Sequence, residues 1–507
     1  MNSKLSQLSL WAALKVGRLT LRIIKWLIVI CIAIILGFTL YAVTMLPKLQ
    51  PWHTDRLHNE FTALQDSKLD FDGYIALETK LFDEMHAEIK EWDHQNEAFI
   101  YSRFNSESYI QKLADGAPYN RSYRMNVPSP VGHALLIHGL TDSPYSMKAT
   151  ADSLLSRGFN ITVLRLPGHG TLPSMMTEMS VNDWNAAVRL AAKDVAKRTP
   201  ANQPFYIVGH STGGTLALQY ALDALEDKSL RQADRVIAFS PAVEITDVAD
   251  VAAIIDALSI VPIPVLEKVR WQDVTPEYDP YKFNSFPVNA TRQVNRASKK
   301  LRKSLERAKE KGIINQLPPI ITYQSVVDAT IGPNGAADIL YPDLKGAKNH
   351  LVLFDVNRKK ALGSLQRPDS KALINRLETS PRDYTLEIVS NTDPDSPIVS
   401  ITRFALDNSK TVIATELVWP NDLVSVGHVA LPFPANDPVY GFMPGSGQNG
   451  VPSLGSLLLR GENGAISISL CALTRLRSNP FWPLIDEQIG GYVAEDLKIK
   501  SIHPLRQ

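Results

Sequence analysis

Five residues, Gly209-His210-Ser211-Thr212-Gly213, carry the pattern Gly-x-Ser-x-Gly. Apolar Phe205-Tyr206-Ile207-Val208 precedes them, and a run rich in Ala and Leu follows. Strand, sharp turn and helix in that order form the setting of a nucleophile elbow. Such a turn strains the serine backbone and crowds its flanks, so side chains at 209 and 213 would clash. The Ser211 hydroxyl is then presented at the carboxyl edge of a sheet and at a helix start, where free N–H groups favour developing negative charge. The bland alternative is a tight strand–helix turn with no chemistry.

A serine hydroxyl is a weak nucleophile at neutral pH and needs a base, itself oriented by an acid. In a sheet of this kind the chain order is serine, acid, histidine. Ser211, Asp328 and His428 satisfy it. Asp328 directly follows the apolar strand Ile320–Val327, which puts its carboxylate at the same sheet edge as Ser211. Asp355 is the main rival, because it also ends an apolar run; Asp338 and Asp343 are looser candidates. His428 is the only histidine between His350 and His503, and His350 stands before its strand, at the wrong edge. His169 and His210 precede the acid; His210 is expected beside the elbow and His169 at the pocket mouth. Two backbone N–H groups should hold the oxyanion: that of Thr212, and that of Leu140 in the loop His138-Gly139-Leu140.

The elements that position these groups alternate. Strands are expected at Val131–Ile137, Ile161–Leu166, Phe205–Gly209, Arg235–Phe239, Ile320–Val327 and Leu351–Val356, with helices near Ser146–Arg157 and Val181–Lys197. That rhythm implies an α/β fold with a mostly parallel central sheet and helices on both faces. It breaks at 241–317, a Pro- and aromatic-rich stretch ending in the basic helix Arg292–Lys311, where a cap would be inserted. It breaks again at 357–420, which reads as a second insertion with strand-like runs at Tyr384–Val389, Val399–Phe404 and Thr411–Trp419. A closing helix is expected over Phe481–Leu497. Residues 47–127 read as a mostly helical approach segment: a docking helix, a stalk or part of a lid.

The chain has 507 residues, 21% charged and 45% hydrophobic, with formal net charge +1. Nothing in that balance argues for a nucleic-acid partner. Of two cysteines, Cys31 lies in an apolar segment and Cys471 stands alone, so no intramolecular disulfide is expected. Residues 1–25 carry Lys4, Lys15, Arg18, Arg22 and Lys25 and no acid; Trp26–Leu46 then runs without a charge. A run of that length can span a bilayer as one transmembrane helix. The Lys/Arg excess before it places the amino end in the cytoplasm and residues 47–507 on the extracytoplasmic side, the periplasm in a Gram-negative cell.

Taken together, His138-Gly139-Leu140, Leu164-Arg165-Leu166-Pro167-Gly168-His169-Gly170, Gly209–Gly213, Val327-Asp328 and Gly427-His428 resemble the α/β-hydrolase superfamily. Within it the chain looks most like the monoacylglycerol lipase, lysophospholipase and carboxylesterase group. The resemblance covers about 131–330 and the neighbourhood of His428. It implies an α/β-hydrolase domain over 128–507, a cap at 241–317, acyl-ester substrates and no metal or organic cofactor. The hundred residues between Asp328 and His428 depart from that group, whose acid and histidine are usually close in sequence. Thioesterase or serine peptidase activity would use the same triad, and a membrane-tethered binding domain would use none of it.

Overall fold

The computed structural model describes residues 47–502, except 67, 246–266, 329 and 458–473, together with scattered positions between 17 and 44. Ten of the 21 residues of the expected span 26–46 lie outside the described residues, as does most of the segment 1–25. Among the described residues no helix is long and apolar enough to cross a membrane.

Ten strands form one sheet: β1 (Tyr123–Met125), β2 (Gly132–Ile137), β3 (Phe159–Leu164), β4 (Phe205–His210), β5 (Arg235–Phe239), β6 (Ile320–Ser325), β7 (His350–Phe354), β8 (Thr385–Asn391), β9 (Ile398–Phe404) and β10 (Lys410–Val418). Their spatial order is β1-β3-β2-β4-β5-β6-β7-β8-β9-β10. From β3 to β8 all neighbours are parallel; β1, β9 and β10 are added antiparallel. Every residue of β2, β4, β5, β6 and β7 is buried. Their near-continuous apolar runs follow from helices covering both faces.

Strand alternation splits the core in two. Leu135 and Ile137 of β2 face a cluster closed by α3 (Val181–Arg198), α4 (Thr212–Glu226) and α5 (Val288–Glu310). Ala134 and Leu136 face the other cluster, closed by α2 (Lys148–Ser156) and by α7 (Trp482–Ile502) through Trp482, Ile485, Ile489 and Val493. The 357–420 stretch supplies the short helix α6 (Ala372–Thr379) and then β8–β10, which lengthen the main sheet. The basic helix α5 belongs to the core layer: Ala290, Val294, Ala297, Leu301 and Leu305 are buried, leaving its charges on the outer face.

The approach segment docks. Its main helix, α1 (Phe71–Glu91), is capped by Asp70 and buries Phe71, Tyr74, Leu81, Phe82 and Met85. Glu78 on that helix reaches the fully buried Arg165 beyond β3 (Nε–Oε1 2.7 Å), and Glu60 closes the other side of the guanidinium (Nη2–Oε1 2.8 Å). Tyr74 Oη donates to the Arg165 carbonyl at 2.7 Å. Burial pushes the Glu78 carboxyl up, and Arg165 opposes that push. Arg165→Met would leave two carboxylates without their cation. It is expected to cost roughly 3–5 kcal/mol, read as a lower urea midpoint with an unchanged slope.

Candidate active site

Ser211 sits between β4 and α4 at φ 53° and ψ −116°, a strained conformation for a residue with a side chain. Its N–H donates to the Phe239 carbonyl at 2.8 Å, which ties the elbow to β5. A Cβ at Gly209 would lie 2.2 Å from the Gly213 carbonyl oxygen, and one at Gly213 would lie 2.1 Å from that of Ile137. Both glycines are thus demanded by backbone approach.

The loop after β2 presses on the elbow from the other side: a Cβ at Gly139 would meet Ser211 Cβ at 3.3 Å. His138 pins this loop. Its Nδ1–H donates to the Gly139 carbonyl (2.8 Å), and its Nε2 accepts from the Leu166 N–H (3.0 Å). Burial brings its pKa down to about 3, so it stays neutral and holds both bonds. Leu140, Ser211, Thr212 and His428 line one cavity of about 440 Å³. The Thr212 amide opens α4, where helical N–H groups have no intrahelical acceptor.

His428 Nδ1 lies 3.0 Å from Asp328 Oδ1. The same oxygen accepts the N–H groups of Thr330 (2.9 Å) and Ile331 (3.0 Å). Burial pushes the Asp328 carboxyl up, but the hydrogen bond from His428, its charge and these amides pull it below the usual carboxylate range. A carboxylate there fixes the proton on Nδ1 and leaves Nε2 free to act as base. Burial lowers the His428 pKa; Asp328 opposes this, and Arg475 and His210 reinforce it. Arg475 Nη2 stands 3.3 Å from His428 Nδ1 and 3.2 Å from Thr330 Oγ1.

A base must be neutral to accept a proton, so the acid limb of kcat/KM is expected below pH 6.5. Arg475→Met removes a cation that disfavours imidazolium. The His428 pKa should rise, and activity should be lost at higher pH as pH falls. A kcat/KM–pH profile of both proteins checks the direction.

The rival acids are engaged elsewhere. Asp355 forms a two-pronged ion pair with Arg358 (2.5 and 2.9 Å) and accepts from Ser390 Oγ. Asp338 pairs with Arg376, and Asp343 with Lys309. His350 opens β7 and bonds Tyr492 Oη. His210 lies beside the elbow as expected, donating from Nε2 to the His428 carbonyl (2.9 Å) with Nδ1 3.3 Å from Asp142. His169 does not line the pocket mouth. It is fully buried against His138 and Trp184, because its loop folds down onto α3.

Sequence reasoning missed three charged groups. Asp142 is buried between His210 and Lys282, whose Nζ is 3.2 Å away. Lys282 and Arg475 both line the cavity. Asp142 had a signal, lying three residues beyond Gly139 in the oxyanion loop; no spacing marks the other two.

Residues 128–328 match the family described as serine aminopeptidase, S33 (Hydrolase_4). The fold is an α/β-hydrolase fold. The thermostable monoacylglycerol lipase of Bacillus sp. (strain H-257) is 37% identical over 92 residues, 18% of this chain and 35% of that protein. A putative 2-succinyl-6-hydroxy-2,4-cyclohexadiene-1-carboxylate synthase of Haemophilus influenzae is 30% identical over 95 residues, 19% of this chain and 36% of that protein. The chain thus spans about a third of the length of these curated relatives. Among solved structures, the monoacylglycerol lipase of Paleococcus ferrophilus aligns with 51% of this chain and 98% of its own at 19% identity and a TM-score of 0.35.

Proposed function

We propose that the chain is a membrane-tethered serine hydrolase that cleaves carboxylic esters, lipid-like ones among them, through an acyl-enzyme. One observation carries the reading: the Asp328–His428 pair closes on the wall of the cavity that also holds Ser211. His428 Nε2 takes the Ser211 proton while Oγ attacks the ester carbonyl carbon. The Leu140 and Thr212 N–H groups hold the oxyanion. The imidazolium then protonates the departing alcohol. Water, deprotonated by His428, attacks the acyl-enzyme and releases the acid. None of these steps calls for a metal or an organic cofactor.

The test is a panel of 4-nitrophenyl esters of rising chain length and a monoacylglycerol, run against an acyl thioester and aminoacyl-4-nitroanilides. The expected result is ester turnover well above thioester and anilide turnover. The family description makes peptidase activity the second reading, and dominant anilide cleavage would establish it. The anchor is residues 26–46, with the amino end cytoplasmic and the catalytic domain outside. A carbonate-washed membrane fraction should keep the full chain and release one lacking residues 1–46.

A further inference from the structure

Two cations stand in the candidate cavity, and the mechanism above uses neither. Lys282 comes from the side of the oxyanion loop, where the neighbouring Phe283 N–H donates to the Thr141 carbonyl at 2.8 Å. Arg475 comes from the side of the base. Among the described residues one carboxylate lines the cavity, that of Asp273, an exposed residue at the end of the short strand Trp271–Asp273.

Lys282 already has Asp142 at 3.2 Å. Arg475 makes no direct ion pair among the described residues, although the Asp328 and Asp142 carboxylates favour its charge from farther off. Its polar neighbours are Thr330 Oγ1 and His428 Nδ1. That nitrogen carries the proton shared with Asp328, so guanidinium and imidazole oppose one N–H to another. For a neutral ester this is a poor arrangement, because a fixed cation resists the imidazolium that proton transfer creates. A bound anion reverses the balance. It takes the planar guanidinium fork, which suits a carboxylate or phosphate, and it offsets the charge that faces His428.

We propose that the ester this site prefers carries an anionic group, carboxylate or phosphate, held by Arg475 with Lys282 on the opposite flank. The inference rests on the ester-hydrolase reading and narrows its substrate class. The anion could sit on either side of the scissile bond. A carboxylate at the end of a short acyl chain and a phosphate on the alcohol present the same chemistry from opposite ends.

The test uses two matched pairs on the full-length protein in detergent at low salt. One pair is 4-nitrophenyl butyrate and mono-4-nitrophenyl glutarate, which differ by an acyl-end carboxylate. The other is a monoacylglycerol and the lysophosphatidate of the same chain, which differ by an alcohol-side phosphate. In at least one pair the anionic member is expected to have about tenfold or higher kcat/KM, fading with added salt. Arg475→Gln should bring that ratio toward one, and Arg475→Lys should restore part of it. Retained fluorophosphonate labelling of Ser211 confirms that each variant is folded. Equal or better turnover of the neutral member in both pairs would overturn the proposal, as would a ratio that Arg475→Gln leaves unchanged. Absence of turnover on all four substrates would instead take the ester-hydrolase reading down, and this proposal with it.

Discussion

Replacing Ser211 by alanine is expected to abolish fluorophosphonate labelling of the protein and to lower kcat on any ester by roughly 10⁴- to 10⁶-fold. The oxyanion donors and the cavity remain, so a residual rate above water is expected. The fold should be untouched. Among the described residues the Ser211 hydroxyl makes no hydrogen bond that holds the chain, while its backbone bond to Phe239 survives the change. Alanine tolerates φ 53° about as poorly as serine, so the elbow's strain is carried over. Wild-type labelling and turnover in the mutant would remove Ser211 from the reaction.

Asp328→Asn should cost about 10⁴-fold in kcat, because an amide no longer fixes the proton on His428 Nδ1 and the base nitrogen is masked. The contrast with Asp355→Asn makes this a sharp test. Asp355 is bound to Arg358, and both side chains are largely buried. Its loss should cost about 3 kcal/mol of stability and leave kcat nearly as it was. Thermal melts and kcat measured on both variants separate the roles. Activity lost with Asp355 and kept with Asp328 would reverse the assignment.

Where local geometry dictates residue type, the site can be read in the chain. The elbow needs glycine at 209 and 213 because backbone oxygens occupy the space of a Cβ, and the sequence carries that need openly. Asp328 is legible because an apolar strand points to it. The runs Tyr384–Val389, Val399–Phe404 and Thr411–Trp419 emerge as strands over nearly the same residues. That they join the main sheet is not legible: β8 pairs with β7 through register, and no side-chain pattern in β8 names its partner. β1 is three half-buried residues, too short for any period to show. Lys282 and Arg475 reach the cavity from irregular loops far apart in sequence. Their place is set by long-range packing, which leaves no local trace.

The distance between Asp328 and His428 sets the order in which reactivity appears. The serine is translated early, and the strand that carries its helix can pair with β2 at once. The histidine follows its acid by a hundred residues, and β8–β10 are laid down in between. A nascent chain therefore displays the Ser211 hydroxyl without its base until the 217 residues Thr212–His428 have been added, and a product of premature termination before residue 428 is expected to stay inert.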